Sequence, residues 1–156
     1  MKNHERSVRY LLGVCLLAVS VLMPRSANAQ VIQPLGAAPF IGGVQVNCNG
    51  ISAYVANIPD VAQANGLGIF LHPNLFQLPA VVQIFIYAHE CAHLVAVGGN
   101  EPAADCWAAK VGRYQGWLAP QGIALVASYF INSPGNWTHA PGPERVQNML
   151  QCYNSP

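Results

Sequence analysis

The chain has 156 residues, a formal net charge of +1 and only 8% charged residues. This length suits one domain with one hydrophobic core. Four of the seven basic residues lie before position 30, so the remainder carries three basic side chains against five carboxylates and is slightly acidic. Because it has no stripe of Lys and Arg, the composition argues against nucleic acid as a partner.

The first 29 residues have the pattern of a secretory signal peptide. Lys2, Arg6 and Arg9 precede an apolar run from 11 to 23, and Ala27-Asn28-Ala29 supplies the small residues that a signal peptidase recognises. Cleavage is therefore predicted near Ala29/Gln30, which places the rest of the chain in the periplasm or outside the cell. A retained membrane anchor is the alternative, but the run is shorter than the roughly 20 residues of a bilayer span, so we expect no retained span.

The remainder predicts a small α+β domain in which short strands come first and helices follow. Residues 30–43 are predicted to be irregular, and the domain is assigned to residues 44–156. Strands are predicted at Val44 to Cys48, Ile51 to Ala56 and Gly68 to His72. Helices are predicted at Ala80 to Val97, Asn100 to Tyr114, Pro120 to Ile131 and Pro143 to Tyr153. Four aromatic residues at helical spacings are expected in the core: Trp107, Trp117, Tyr114 and Tyr129.

The most informative motif is His89-Glu90-Cys91-Ala92-His93, which lies inside the first predicted helix. Positions i and i+4 share a helix face, so His89 and His93 can offer ring nitrogens to one metal ion. Glu90 is then placed to face a metal-bound water. Such a motif also occurs by chance, and both histidines then have ordinary structural roles.

A second acidic motif, Glu101-Pro102-Ala103-Ala104-Asp105, begins the next predicted helix. Glu101 and Asp105 are again i and i+4, so one carboxylate can bind a metal while the other holds a histidine ring by its free N–H. A carboxylate at a helix start is also favoured by the helix dipole and needs no metal. The two motifs together favour a zinc site, because catalytic zinc takes three protein ligands and activates a water molecule.

The paired motifs, His89-Glu90-x-x-His93 and Glu101-x-x-Ala104-Asp105, resemble gluzincin metallopeptidases, especially minimal relatives of the heat-shock and prenyl-protein proteases. The resemblance covers residues 80 to 110 well and implies a zincin-like fold. It implies His89, His93 and Glu101 as zinc ligands, Glu90 as the general base and Asp105 just outside the ligands. The chain departs from these relatives in lacking their transmembrane helices, in the short gap between its motifs and in its cysteines.

The predicted function is a secreted or periplasmic zinc metallopeptidase, an endopeptidase rather than an exopeptidase, acting on a peptide or protein substrate. His139, in a Pro- and Gly-rich loop, is a candidate donor to the oxyanion of the transition state, although a surface loop histidine is the simpler interpretation. His72 is a further candidate for the groove, or a turn residue, and Arg145 is expected to pair with Glu144, Asp105 or the chain end. Two alternatives from other classes stay open: an inactive zincin-like binding module and a disulfide-stapled envelope interaction protein.

Four cysteines follow the signal sequence, and an even number in an exported chain predicts two disulfides. The favoured pairing is Cys91–Cys106 with Cys48–Cys152, because Cys91 and Cys106 lie on the two segments that a metal draws together. Helical geometry turns Cys91 away from the face of the histidines, so a bond to a neighbouring strand is the alternative.

Overall fold

The computed structural model describes residues 32–156 and confirms a mixed α+β fold. The predicted signal peptide and its cleavage position lie outside the described residues. Six short strands are followed by four helices. The strands are β1 (Gln33–Gly36), β2 (Phe40–Ile41), β3 (Val44–Gln45), β4 (Ala53–Val55), β5 (Ala62–Asn65) and β6 (Gly68–Leu71). The helices are α1 (Ala80–Ala92), α2 (Glu101–Gln115), α3 (Pro120–Phe130) and α4 (Gly142–Asn154).

The strands form a four-stranded sheet with the order β1-β4-β6-β5 and a separate β2-β3 pair. β4 and β6 are parallel, whereas β1 and β5 run antiparallel to their neighbours. β5 is therefore an edge strand, and it packs against α1. This contact places the free edge of the sheet beside the helix that carries the two motif histidines.

Helix α1 is the centre of the core. Its residues from Val82 to Ala92 are all buried, and Phe85 is completely so. Together with the π-helical turn His93–Val97 that extends it, α1 is long and apolar enough to cross a membrane, with a mean hydropathy of 1.5. The same stretch is 61% buried inside the fold, as expected for the central helix of a folded domain.

Local capping determines where α2 begins and ends. The Asn100 side chain accepts a hydrogen bond from the backbone N–H of Ala103 at 3.0 Å, and Pro102 occupies the first turn, where its missing N–H costs nothing. Gly116 ends the helix with a left-handed φ of 80°. The helix thus begins with Glu101 in its first turn, beside the end of α1.

Helices α3 and α4 complete the core by packing on α1 and α2. The loop between α3 and α4 is closed at its base, where the Gly142 N–H donates a hydrogen bond to the Ser133 carbonyl oxygen at 2.8 Å. A Cβ on Gly142 would lie 2.0 Å from the Phe130 carbonyl oxygen, so this close approach requires glycine. The loop carries His139 back toward α1.

Several sequence predictions need correction. The segment predicted as irregular contains β1 and β2. Its Pro and Gly content is typical of loops, but hydrogen bonds of β1 to β4 and of β2 to β3 hold it in strands. Strand β5 was not predicted, since Ala62–Asn65 has little β-branched or aromatic character. Tyr114 is 92% exposed and Tyr129 half exposed, so neither is a core residue.

The two disulfides exist, but the favoured pairing is wrong. Cys48 is bonded to Cys91 and Cys106 to Cys152, rather than Cys91–Cys106 and Cys48–Cys152. The reason is the orientation of α1: Cys91 faces away from the histidines and toward the segment after β3. Cys106 instead faces α4, where Cys152 lies. Two disulfides indicate an oxidising, extracytoplasmic environment.

Candidate metal centre

Side chains from α1, α2 and the loop before α4 converge on the carboxylate of Glu101. The His89 Nε2 atom lies 3.0 Å from Glu101 Oε2, and His139 Nε2 lies 2.9 Å from the same oxygen. His93 Nε2 lies 3.5 Å from Glu101 Oε1 and 3.0 Å from His89 Nε2. Three imidazoles therefore direct the same ring nitrogen toward one carboxylate.

Two sets of three ligands share His89 and Glu101. Ligand atoms of His89, Glu101 and His139 all lie within 4.8 Å of one another. His93 approaches the other oxygen of Glu101: its Nε2 atom lies 3.5 Å from Oε1 and 3.0 Å from His89 Nε2. Zinc bonds of about 2.0–2.2 Å in tetrahedral geometry place donors roughly 3.3 Å apart, which is close to the separations between His89, His93 and Glu101.

The second ring nitrogen of each histidine fixes the tautomer. His89 Nδ1 lies 2.8 Å from Asp105 Oδ1, and His93 Nδ1 bonds the Gly98 carbonyl oxygen. Carbonyl and carboxylate oxygens accept hydrogen bonds, so both Nδ1 atoms carry the proton. In the neutral rings the Nε2 lone pairs then face each other and Glu101.

His139 has the same arrangement. Its Nδ1 lies 2.9 Å from the Thr138 hydroxyl, which itself donates to Asn136 Oδ1 at 2.9 Å and therefore accepts from the ring. The Nε2 atom of a neutral His139 is again without a proton, although it faces a carboxylate oxygen. A cluster of this kind needs cations among its lone pairs, which can be either protons or a metal ion.

Protons balance the cluster when no metal is bound. Burial acts to lower the pKa of His89, but hydrogen bonds to Asp105 and Glu101 outweigh it and raise that pKa to about 9. Burial acts to raise the pKa of Glu101, but hydrogen bonds from His139 and His89 hold it well below its usual range. The metal-free site therefore holds an imidazolium at neutral pH.

Asp105 positions the His89 ring and is itself held by Arg145. Arg145 Nε and Nη2 donate to the two Asp105 oxygens at 2.8 and 2.7 Å, and Asp105 is 1% exposed. Although burial acts to raise the pKa of Asp105, these bonds and that of His89 hold it low. Of the three partners expected for Arg145 from the sequence, Asp105 is the correct one.

Glu90 lies beside the cluster on the floor of a cleft. Its side chain is buried, and burial raises its pKa despite the opposing charges of His89 and His93. Two cavities of about 490 and 460 Å³ meet here and share Asp60, Ala62, Glu90 and His139 in their linings. Strand β5 lines the smaller of the two, which we call the polar cavity because polar side chains such as Gln63 and Asn65 line it. The Ala64 backbone hydrogen-bonds to the Glu90 carboxylate.

The structure thus brings His89, His93, Glu101, Asp105 and His139 together, with Glu90 at the cleft. His72 lies elsewhere, where its Nδ1 accepts a hydrogen bond from the Asn74 N–H at the start of the 3-10 helix Pro73–Gln77. The contact between His139 and Glu101 is not predicted from the sequence. The loop between α3 and α4 has no motif whose spacing predicts this contact.

Comparisons with known proteins identify no relative: no family model matches the chain, and searches of curated proteins and of solved structures gave no match.

Proposed function

We propose that the protein is an exported zinc-dependent endopeptidase of the gluzincin type. The observation that carries the proposal is the convergence of the Nε2 atoms of His89 and His93 on the Glu101 carboxylate. Two imidazoles and one carboxylate at these separations form the donor set of catalytic zinc. Asp105, which fixes the tautomer of His89, adds the outer support that metal-bound histidines usually have.

Zinc bound there would supply a Lewis acid and lower the pKa of a water molecule. The chain's own residues then account for the proton transfers. Glu90 would accept a proton from the attacking water and return it to the leaving amine, a role that suits a carboxylate whose pKa burial has raised. His139 would leave Glu101 and donate a hydrogen bond to the oxyanion of the substrate in its imidazolium form, since the Nε2 atom of the neutral ring carries no proton.

The cleft supports a peptide as the substrate. The edge strand β5 lines the polar cavity, and an extended chain can pair with such an edge through backbone hydrogen bonds. The adjoining cavity is lined largely by apolar side chains such as Val82, Ile86 and Phe130, which suit an apolar substrate side chain. Glu90 lies where the two cavities meet.

One observation favours a second candidate, a zincin-like binding module with a closed metal site. His139 Nε2 is only 2.9 Å from Glu101 Oε2, which is close enough for His139 to be a fourth protein ligand. A zinc ion with four protein ligands has no open position for water and serves a structural role. The two candidates therefore differ in what His139 does.

Metal analysis of single variants separates these candidates. For the peptidase we expect one zinc ion per chain, lost in His93→Ala and Glu101→Ala but kept in His139→Ala. His72→Ala is the matched control, because this histidine lies outside the cluster and should keep the metal. Loss of zinc in His139→Ala as well as in His93→Ala and Glu101→Ala would favour the closed site, whereas retention of zinc in His93→Ala would reject the predicted ligands.

Hydrolysis tests the chemistry separately. Glu90→Gln should retain zinc, and its activity on a mixed peptide library should fall at least about a hundredfold. This is the smallest contribution to the rate that is usual for a general base. Glu144→Gln, an exposed carboxylate on α4, is the control and should cleave normally. Undiminished hydrolysis by Glu90→Gln would exclude Glu90 as the base, and a zinc-loaded wild type that cleaves nothing in the library would favour the binding module.

A further inference from the structure

Residues 133–141, between α3 and α4, lie across the cleft, and we call them the His139 loop. Asn136 lines the larger cavity, Thr138 lines the polar cavity and His139 lines both. Strand β5 lines the same two cavities through Ala62. A peptide that pairs with β5 and reaches the metal centre therefore passes between the strand and this loop.

The tip of the loop is a compact turn. The Asn136 side-chain oxygen accepts hydrogen bonds from the backbone N–H groups of Thr138 and His139, at 2.9 and 2.8 Å. The Asn136 N–H donates in turn to the His139 carbonyl oxygen at 2.9 Å. Because these bonds join residues 136–139 to one another, the turn can move as one unit.

The base of the loop is narrow. The Gly142 N–H bonds the Ser133 carbonyl oxygen at 2.8 Å, and a Cβ on Gly135 would lie 2.8 Å from the Pro141 nitrogen. The two chain segments thus run side by side at the base, and the turn lies beyond them. Changes in a few backbone dihedral angles at such a base move the whole turn, as at the hinges of other mobile segments.

One side chain fastens the turn to the rest of the domain. His139 Nε2 lies 2.9 Å from Glu101 Oε2. Within residues 32–156, the other hydrogen bonds of the loop join its own members or the adjoining ends of α3 and α4. Trp137, at the tip, is fully exposed and adds no buried surface. The loop therefore depends on His139 for its position over the cleft.

In this position the His139 ring obstructs the candidate metal centre. Its ligand atom lies within 4.8 Å of those of His89 and Glu101. Catalytic zinc needs an open position for water and the substrate. An imidazole this close to both candidate ligands competes for that position, so the loop has to move before a peptide carbonyl can reach the metal.

We propose that the His139 loop is a lid that pivots about its base, and that the contact between His139 and Glu101 holds it closed. Opening admits an extended peptide to β5, and closing over the bound peptide brings His139 to the oxyanion. The gating role rests on the proposed peptidase function, whereas the movement itself does not.

Distances between two nitroxide labels, measured by pulsed electron paramagnetic resonance, test the movement in the metal-free protein. One label is attached at Trp137→Cys on the loop. The other is attached at Leu67→Cys, beside Gly66 on the β5 side of the polar cavity, where Leu67 is 78% exposed. All four cysteines in residues 32–156 are paired in disulfides, so the exported protein is labelled only at the two introduced positions.

The labelled protein should give one narrow distance distribution, which is that of the closed lid. Removing either end of the contact, by His139→Ala or Glu101→Ala, should broaden it and lengthen its mean by more than about 2 Å, the scale of loop rearrangements. His72→Ala, outside the cluster, should leave it unchanged. Far-UV circular dichroism verifies that each variant is folded. The proposal would be overturned by an unchanged distribution in either variant, or by a broad distribution before any contact is removed.

Hydrolysis tests the gating role. In the zinc-loaded protein with the same two cysteines, a bifunctional thiol reagent matched to the closed distance should abolish cleavage of the peptide library, and a much longer reagent should preserve it. Cleavage that persists with the short reagent would overturn the lid. A protein that cleaves nothing before it is linked would instead refute the peptidase function, and the distances measured without metal would still decide whether the loop moves.

Discussion

The metal-free protein should lose stability as the pH rises from about 6.5 to about 9, because folding raises the pKa of His89. That pKa is about 9 in the folded protein and about 6.5 in an unfolded chain. The imidazolium therefore contributes stability that is fully present below pH 6.5 and is lost as the pH rises through 9. The difference corresponds to about 3 kcal/mol, with little solvent screening because His89 is 3% exposed.

Urea unfolding in the presence of a chelator, repeated across this pH range, measures the effect. Asp105→Asn removes one of the carboxylates that hold the imidazolium, so the free energy of unfolding should vary less with pH. The variant is also less stable at every pH, by about 3–5 kcal/mol, since Arg145 loses its buried partner. The slope against pH, rather than the absolute stability, is therefore the informative quantity.

Asp60→Asn provides the control, because this carboxylate is exposed and is not one of the groups that raise the pKa of His89. Saturating zinc should abolish this decrease, since metal binding displaces the proton from the ring and leaves none to be lost as the pH rises. A wild-type stability that stays constant or increases between pH 6.5 and 9 without metal would refute the reasoning. The reasoning would also be refuted if Asp60→Asn reduced the pH dependence of the free energy of unfolding as much as Asp105→Asn does.

Three further substitutions test the fold that supports the site. Phe85→Ala should lower the free energy of unfolding by about 3–5 kcal/mol, because Phe85 is fully buried in α1; a loss under about 1 kcal/mol in urea unfolding would contradict this packing. Replacing Cys106 and Cys152 together by Ser opens a cross-link between residues 46 positions apart and should cost about 4 kcal/mol by loop entropy, seen as a lower Tm; a Tm equal to that of the wild type would contradict this contribution. Asn100→Ala removes the α2 cap and should cost about 0.5–2 kcal/mol, whereas an unchanged urea midpoint would show that the cap is dispensable.

The helices and most of the site were predictable because their signals are local. Asn100 and Pro102 mark the start of α2, and Gly98 ends the preceding helical stretch, so the ranges predicted there agree closely with the structure. The i, i+4 spacing of His89 and His93 fixes their common face once the helix is known. Sequence periodicity therefore suffices for groups that one helix presents together.

Contacts between distant segments were not predictable in the same way. The disulfide of Cys106 depends on how α2 and α4 pack, and four cysteines allow three pairings that sequence cannot rank reliably. The approach of His139 to Glu101 depends on a loop whose closure comes from Ser133 and Gly142. Edge strand β5 is recognisable from its pairing with β6 but not from its own residues.

The short gap between the two motifs is explained by the way α1 ends. Only residues 94–100 separate His93 from Glu101, and the last turn widens into a π-helix, a feature often found at functional sites. Gly98 then adopts a φ of 56°, which reverses the chain toward α2. Because the Gly98 carbonyl also accepts the His93 Nδ1 proton, the residue that ends the helix also turns the Nε2 atom of His93 toward Glu101. Residues 94–100 therefore orient a candidate ligand and also bring α2 close to it. A gap of this length between the two motifs is thus compatible with the site.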